Sequence, residues 1–223
     1  MGCPAPKITG NGDGSALMRS PALAARIIEA AVRAVSIPVS VKFRLGWDAD
    51  SINAVEFAKM AASSGAAYVT VHGRTRMQMY SGTADWGKIA EVVNAVRIPV
   101  IGNGDVFSGT DAAALAAKTG CAGIMAARGA QGNPFLFAEI RAALRGEDYV
   151  PPSARARLDA ALRHISEYIA AHGDGAFADM RKHIAWYTKG MYGSTELRRR
   201  VNICGSTAEL SELVRRFRDE VSD

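Results

Sequence analysis

Between residues 37 and 144 the chain repeats one pattern: a short apolar run, a polar turn, then a longer segment with helical spacing. The apolar runs are 37–44, 67–72, 98–101 and 121–126; the helical segments are 51–65, 86–96, 110–118 and 133–144. A repeat of roughly thirty residues is the length of a β/α unit, so the strands are expected to lie parallel with helices packed outside them. The strands are continuous apolar runs rather than alternating ones, as expected when both faces are buried.

Polar residues gather just after each strand: Lys42 and Arg44, His72-Gly73-Arg74, Asn103-Gly104-Asp105, and Arg128-Gly129. In a β/α barrel these positions converge on the face that carries the active site. Four strands do not close an eight-stranded barrel. The opening Met1-Gly2-Cys3-Pro4-Ala5-Pro6-Lys7 reads as the turn after a strand, because Pro4 lacks an N–H and can continue neither a ladder nor a helix. The visible strands are therefore expected to be the fifth to eighth, with the first half of the barrel absent from this chain. A glycine-rich loop over 9–15 is expected to be mobile or ligand-facing, and Pro21 to open a helix running to about Ser36. The stretch Gly146 to Pro152 breaks the repeat, and residues 153–223 contain no strand-like run. The expected architecture is thus α/β: the C-terminal half of a TIM-type (β/α)8 barrel over 1–150, followed by a small all-α helical domain over 151–223.

Charge and cysteine usage narrow the function classes. The formal net charge of +5 suits a polyanionic partner. Three cysteines at unrelated spacings indicate neither a disulfide framework nor a metal site. No run approaches a membrane span and the start has no signal core, so a cytoplasmic protein is expected, with no membrane or metal partner. Met1-Gly2-Cys3 has the look of an acylation signal, but Pro6 stands where that signal needs Ser or Thr.

Candidate chemistry lies in four places. Lys42 ends a buried strand, where it either snorkels to the rim, meets an anion or forms a Schiff base. His72 ends the next strand, as a structural residue or a ligand contact. The loops carrying Asn103-Gly104-Asp105 and Ala127-Arg128 occupy positions where barrels often bind phosphate through backbone N–H groups. In the tail, Arg181, Lys182 and Lys189 interleave with Trp186 and Tyr187, either as a solvated face or as a nucleic-acid track.

The segments MGCPAPK, GSALMRSP, VSVKFRLGW, VTVHGRTRMQMYSGTADW, IPVIGNGD, MAARGAQGNP and RKHIAWYTKG together resemble the tRNA-dihydrouridine synthases, in the bacterial branch that includes the nitrogen-regulation-like proteins. The resemblance implies FMN-dependent reduction of the uridine C5–C6 bond in tRNA, with NADPH as electron source. It makes Cys3 the general acid, Lys42 and His72 flavin contacts, and Asn103, Gly104, Asp105, Ala127 and Arg128 the flavin phosphate cup. Arg44 and Arg74 become candidates for the substrate side, and Arg181, Lys182 and Lys189 for the tRNA-binding domain. Two departures stand out: Ala127 replaces the family's glycine, and the segments preceding the Gly-Cys-Pro motif, with strands one to four, are missing. An open half barrel exposes strand edges and apolar surface, so self-association and impaired activity are expected. A truncated RNA-binding product without activity and a barrel lyase using Lys42 are the alternatives.

Overall fold

The fold is seen in a computed structural model that describes residues 1–221. Strands β1 (Ser40–Arg44), β2 (Tyr68–His72), β3 (Val100–Asn103) and β4 (Gly123–Met125) form one parallel sheet in chain order. The register aligns Arg44, His72, Asn103 and Met125 as one row at the carboxyl ends of the strands. Side chains alternate along a strand, so Lys42 shares the face of Arg44, opposite Thr70.

The other face is the core. Val41, Phe43, Val69, Val71 and Val100 are buried on it. The helices α3 (Ala54–Ser63), α4 (Trp86–Ala95) and α5 (Gly109–Thr119) bury Phe57, Ala58, Ile89, Val92 and Leu115. Phe43 and Phe57 meet with ring centroids 5.0 Å apart. A side chain at Gly102 would press on Leu115 and Cys121, so this glycine sets how closely the helix layer approaches β3. The helix ends follow local chemistry. Asp85 and Ser108 accept the N–H groups of Lys88 and Asp111 at the starts of α4 and α5, and Gly120 ends α5 in the left-handed region.

On the site face the sheet is uneven. Ser40 and Tyr68, at the amino ends of the strands, are exposed, while Arg44, Thr70, His72 and Asn103 are buried. A helix α2 (Pro21–Ala34), with proline in its first turn, precedes β1. It buries Ala24 and Ile28 and leaves Leu23 and Ile27 exposed.

Two expectations are corrected. The first and third strands begin later than their apolar runs, at Ser40 and Val100, because Pro38 and Pro99 have no N–H to enter a ladder. The segment 9–15 is built rather than loose. It runs from a short helix α1 (Pro6–Thr9) into a 3-10 helix (Gly14–Arg19), and Ser15 folds back onto the carbonyl of Cys3.

The chain divides into two compact units, Met1–Arg128 and Gly129–Asp223. Among the described residues the second unit has no strand. Its helices are α6 (Leu136–Arg145), α7 (Ala154–His172), α8 (Phe177–Tyr187), α9 (Ser194–Ile203) and α10 (Thr207–Glu220). The last four enclose a core that includes Leu158, Ile165, Met180, Ile184, Val201, Leu210 and Val214. No helix among the described residues is long and apolar enough to cross a membrane.

Because Phe43 is fully buried between sheet and helix layer, Phe43→Ala is expected to destabilise the protein by about 3–5 kcal/mol. Urea unfolding measures it, and a loss below about 1 kcal/mol would show that this layer is not packed as described.

Candidate active site

The site is assembled where the strands end. Cys3 is brought there by backbone bonds. Its carbonyl accepts both the N–H (3.0 Å) and the hydroxyl (2.9 Å) of Ser15. The turn that returns Ser15 needs Gly14: φ is +59°, and a β-carbon there would lie 2.7 Å from the Cys3 carbonyl oxygen. Arg44 Nε donates to the Gly2 carbonyl at 2.9 Å, tying this segment to the end of β1. The Cys3 residue itself remains exposed.

Arg44 and Arg74 are buried, at 2% and 1% exposure, and both hold loops together. Arg44 Nη1 donates to the carbonyls of Thr75 and Met79, each at 2.9 Å. Arg74 donates to the carbonyls of Ser81 (3.1 Å) and Gly82 (2.6 Å) and to the Asp105 carboxylate (2.7 Å). Its Nη1 is buried without an acceptor. Both arginines, candidates for the substrate side, spend these donors on loop carbonyls and, for Arg74, on the Asp105 carboxylate.

Asp105 is the hub of the β3 loop. Besides Arg74 it accepts the Ala84 N–H at 2.7 Å and Arg128 Nη2 at 3.1 Å. Burial pushes its carboxyl up, but the Arg74 and Ala84 hydrogen bonds and the charges of Arg74 and Arg128 hold it below the ordinary carboxylate value. Gly104, at φ +129°, has no room for a side chain: a β-carbon would lie 2.6 Å from that of Ala84. Trp86 Nε1 fixes the Gly104 carbonyl at 3.1 Å. The exposed Arg128 rests against the rings of Tyr80 (5.0 Å) and Phe107 (5.5 Å). The backbone N–H groups of Gly104, Asp105 and Ala127 have no acceptor among the described residues.

The electrostatics are lopsided. Lys42 is half-buried with no hydrogen bond or ion pair among the described residues. Burial and the neighbouring Arg44 lower its pKa. Burial, then Lys42, lowers the α-amino group of Met1. Burial, reinforced by Arg44, Lys42 and Arg74, pushes His72 down to about 3, so it is neutral near pH 7. Asn103 donates its side-chain amide to the Met125 carbonyl at 2.8 Å, bridging β3 and β4. Cations therefore gather at the carboxyl ends of the strands, where Asp105 is already paired with Arg74 and Arg128. Such a site stabilises an anion, or negative charge developing on a bound ring.

The first unit thus gathers Cys3, Lys42, His72, Asn103, Gly104, Asp105, Ala127 and Arg128, together with Arg44 and Arg74. Arg181, Lys182 and Lys189 belong to the second unit. There Arg181 donates to the Cys204 carbonyl at 2.6 Å and lies over Phe177, while Lys182 and Lys189 are exposed. Sequence reasoning gave no role to Ser15, Tyr80 or Phe107. Ser15 and Tyr80 lie in the segments GSALMRSP and YSGTADW, and Phe107 lies just after IGNGD; their contacts are long-range. Among the described residues no group of His, Cys, Asp and Glu could hold a metal ion.

A family model described as dihydrouridine synthase matches residues 1–222. A probable tRNA-dihydrouridine synthase of Rickettsia conorii is 43% identical over 225 residues, covering 100% of this chain and 68% of that protein. Another from Rickettsia bellii is 44% identical over 219 residues, with 97% and 67% covered. A probable tRNA-dihydrouridine synthase 1 from Synechocystis is 44% identical over 215 residues, with 96% and 61% covered. The chain spans about two thirds of the length of such relatives, or somewhat less. The solved structure of a mandelate oxidase aligns over 86% of this chain and 66% of its own at 14% identity, with a TM-score of 0.29, a likeness too slight to bear on the fold.

The state of His72 has a consequence in solution. The unfolded chain takes up a proton below about 6.5 that the folded site refuses until about 3. Stability is therefore intact above pH 6.5 and falls as the pH drops. His72→Gln is expected to remove about 1–2 kcal/mol of the loss between pH 7 and pH 5, read from urea midpoints. Equal losses in both proteins would show that His72 titrates normally.

Proposed function

Because the chain belongs to the dihydrouridine synthase family, we propose that its site serves the reduction of uridine to 5,6-dihydrouridine in tRNA. The observation that carries the reading is the position of Cys3, an exposed thiol on a loop tied to the end of β1, the strand that carries an unpaired Lys42 and pairs with the strand ending at a neutral His72. Protonation of C5 needs an acid that reaches the base, and a thiol is a competent donor.

The residues fit FMN as the cofactor. The Gly104 turn excludes any larger side chain, the amides of Gly104, Asp105 and Ala127 are free to donate, and Arg128 supplies a forked cation for a phosphate. Asp105 does not bind the phosphate in this reading; it orients Arg128 and neutralises Arg74. Lys42 lies on the site face with no anion, where its charge favours electron density on a flavin ring. Bound FMN would supply the hydride that reaches C6, with NADPH as its source of electrons. The neutral His72 keeps a ring nitrogen able to accept a hydrogen bond from flavin or base. The lowered pKa of Lys42 would serve a Schiff base equally well; family membership supports the flavin contact.

The four strands are read as the second half of a (β/α)8 barrel within 1–150. The helices of 151–223 are read as a tRNA-binding domain that uses Arg181, Lys182 and Lys189. Four strands give the cofactor one wall, so turnover by these 223 residues is expected to be slow, with self-association through the free edge of β1. The reaction suits a cytoplasmic setting.

Single-turnover assays with excess protein, reduced FMN and unmodified tRNA, read by mass spectrometry of the nucleosides, test the reading. Dihydrouridine is expected, and Cys3→Ala is expected to slow its formation at least about 100-fold without weakening tRNA binding. No product from the flavin-loaded protein, or product at the unaltered rate from the variant, would sink it.

A further inference from the structure

Trp47 lies in the turn after β1, and two guanidiniums rest on its indole. Those of Arg19 and Arg76 each stand 4.7 Å from the ring centroid. One cation over an indole face is favourable, but two gathered on one ring repel each other unless an anion intervenes. Among the described residues no carboxylate lies within ion-pair distance of either. Other arginines of the chain do have such partners: Arg199 pairs with Glu196, Arg216 with Glu212 and Arg218 with Asp159.

The two arginines are also underused as donors. Arg19 is exposed and its side chain makes no hydrogen bond among the described residues. Arg76 donates Nη2 to the Thr9 hydroxyl at 3.1 Å and Nη1 to the weak acceptor Sδ of Met77 at 3.2 Å, but its Nε is buried with no acceptor. The stack is held rigidly, since the amides of Arg76 and Met77 donate to the carbonyls of Gly46 and Trp47, both at 2.9 Å. It is joined to the Cys3 loop at two points. Thr9 ends α1, which follows Cys3, and Arg19 ends the 3-10 helix whose Ser15 holds the Cys3 carbonyl.

We propose that the Arg19–Trp47–Arg76 stack grips the phosphate backbone of the RNA strand whose base is presented to Cys3. This rests on the RNA substrate of the proposed function. Forked, permanently charged donors held in fixed planes match phosphate oxygens. A strand offers successive phosphates to two guanidiniums, whereas a lone small anion engages one. The neighbouring cleft of about 680 Å³ is lined by Trp47 with Asp48, Asp50 and Asp85 and by no cation, so phosphates are repelled from it. The strand is thereby directed to the side of the stack that adjoins the Cys3 loop.

Arg19→Gln tests the stack without disturbing the fold, since the Arg19 side chain makes no hydrogen bond or ion pair among the described residues; circular dichroism checks this. The probe is an unmodified tRNA transcript, bound by the full chain across a range of salt. Arg19→Gln is expected to weaken binding roughly tenfold and to flatten the plot of log affinity against log salt by about 0.7–1. Arg76→Lys is expected to weaken binding while leaving that slope nearly intact, because it keeps the charge and loses the fork. Dihydrouridine formation is measured in parallel. A flattened slope in a chain that makes no dihydrouridine supports the grip and removes the proposed reaction. An unchanged slope in Arg19→Gln, or no tRNA binding by the unaltered protein, overturns the grip whatever the activity.

Discussion

Burying a guanidinium takes it out of water, and the structure around it must supply acceptors for its donors. That requirement shapes the site end of the sheet. Arg44 reaches the carbonyls of Gly2, Thr75 and Met79, and Arg74 reaches Ser81, Gly82 and Asp105. Two side chains thus fix the opening segment and the loop after β2, and Arg74 ties that loop to the one after β3. Among the described residues, the two non-glycine residues with positive φ, Met79 and Asp105, both bond to these guanidiniums. Strain of that kind persists where its surroundings determine it fully, and here the buried cations do so.

The same arginines set the electrostatics. Burial, reinforced by their charge and that of Lys42, keeps His72 neutral, and the cations outnumber the anions at this end of the sheet. Asp105 balances Arg74 and part of Arg128, and no other carboxylate among the described residues pairs with this cluster. The excess suits a phosphate-bearing cofactor and a polyanionic substrate better than it suits an empty surface. Cys3 stands exposed on a loop whose own carbonyl is doubly bonded.

Much of this was legible in the sequence. The parallel order of the strands follows from the β/α repeat, and the row Arg44, His72, Asn103 follows from polar residues gathering after each strand. Other parts were not. The partners of Arg44 lie 42, 31 and 35 residues away in the chain, and no local pattern reveals which carbonyls an arginine at a strand end will reach. The glycine-rich stretch after Thr9 looked loose because glycine permits disorder; here Gly14 instead permits the turn that brings Ser15 to Cys3. Strand starts were misread by two or three residues because hydrophobicity says nothing of a proline's missing N–H.

Buried arginines, an unpaired lysine and free loop amides make this end of the sheet a cationic seat that a phosphate-bearing ring would complete. Titrating the purified chain with FMN and with riboflavin, which lacks the phosphate, probes that seat by flavin fluorescence. FMN is expected to bind at least about tenfold tighter than riboflavin, with the difference collapsing in Arg128→Gln. Equal affinities for the two flavins in the unaltered protein would contradict it.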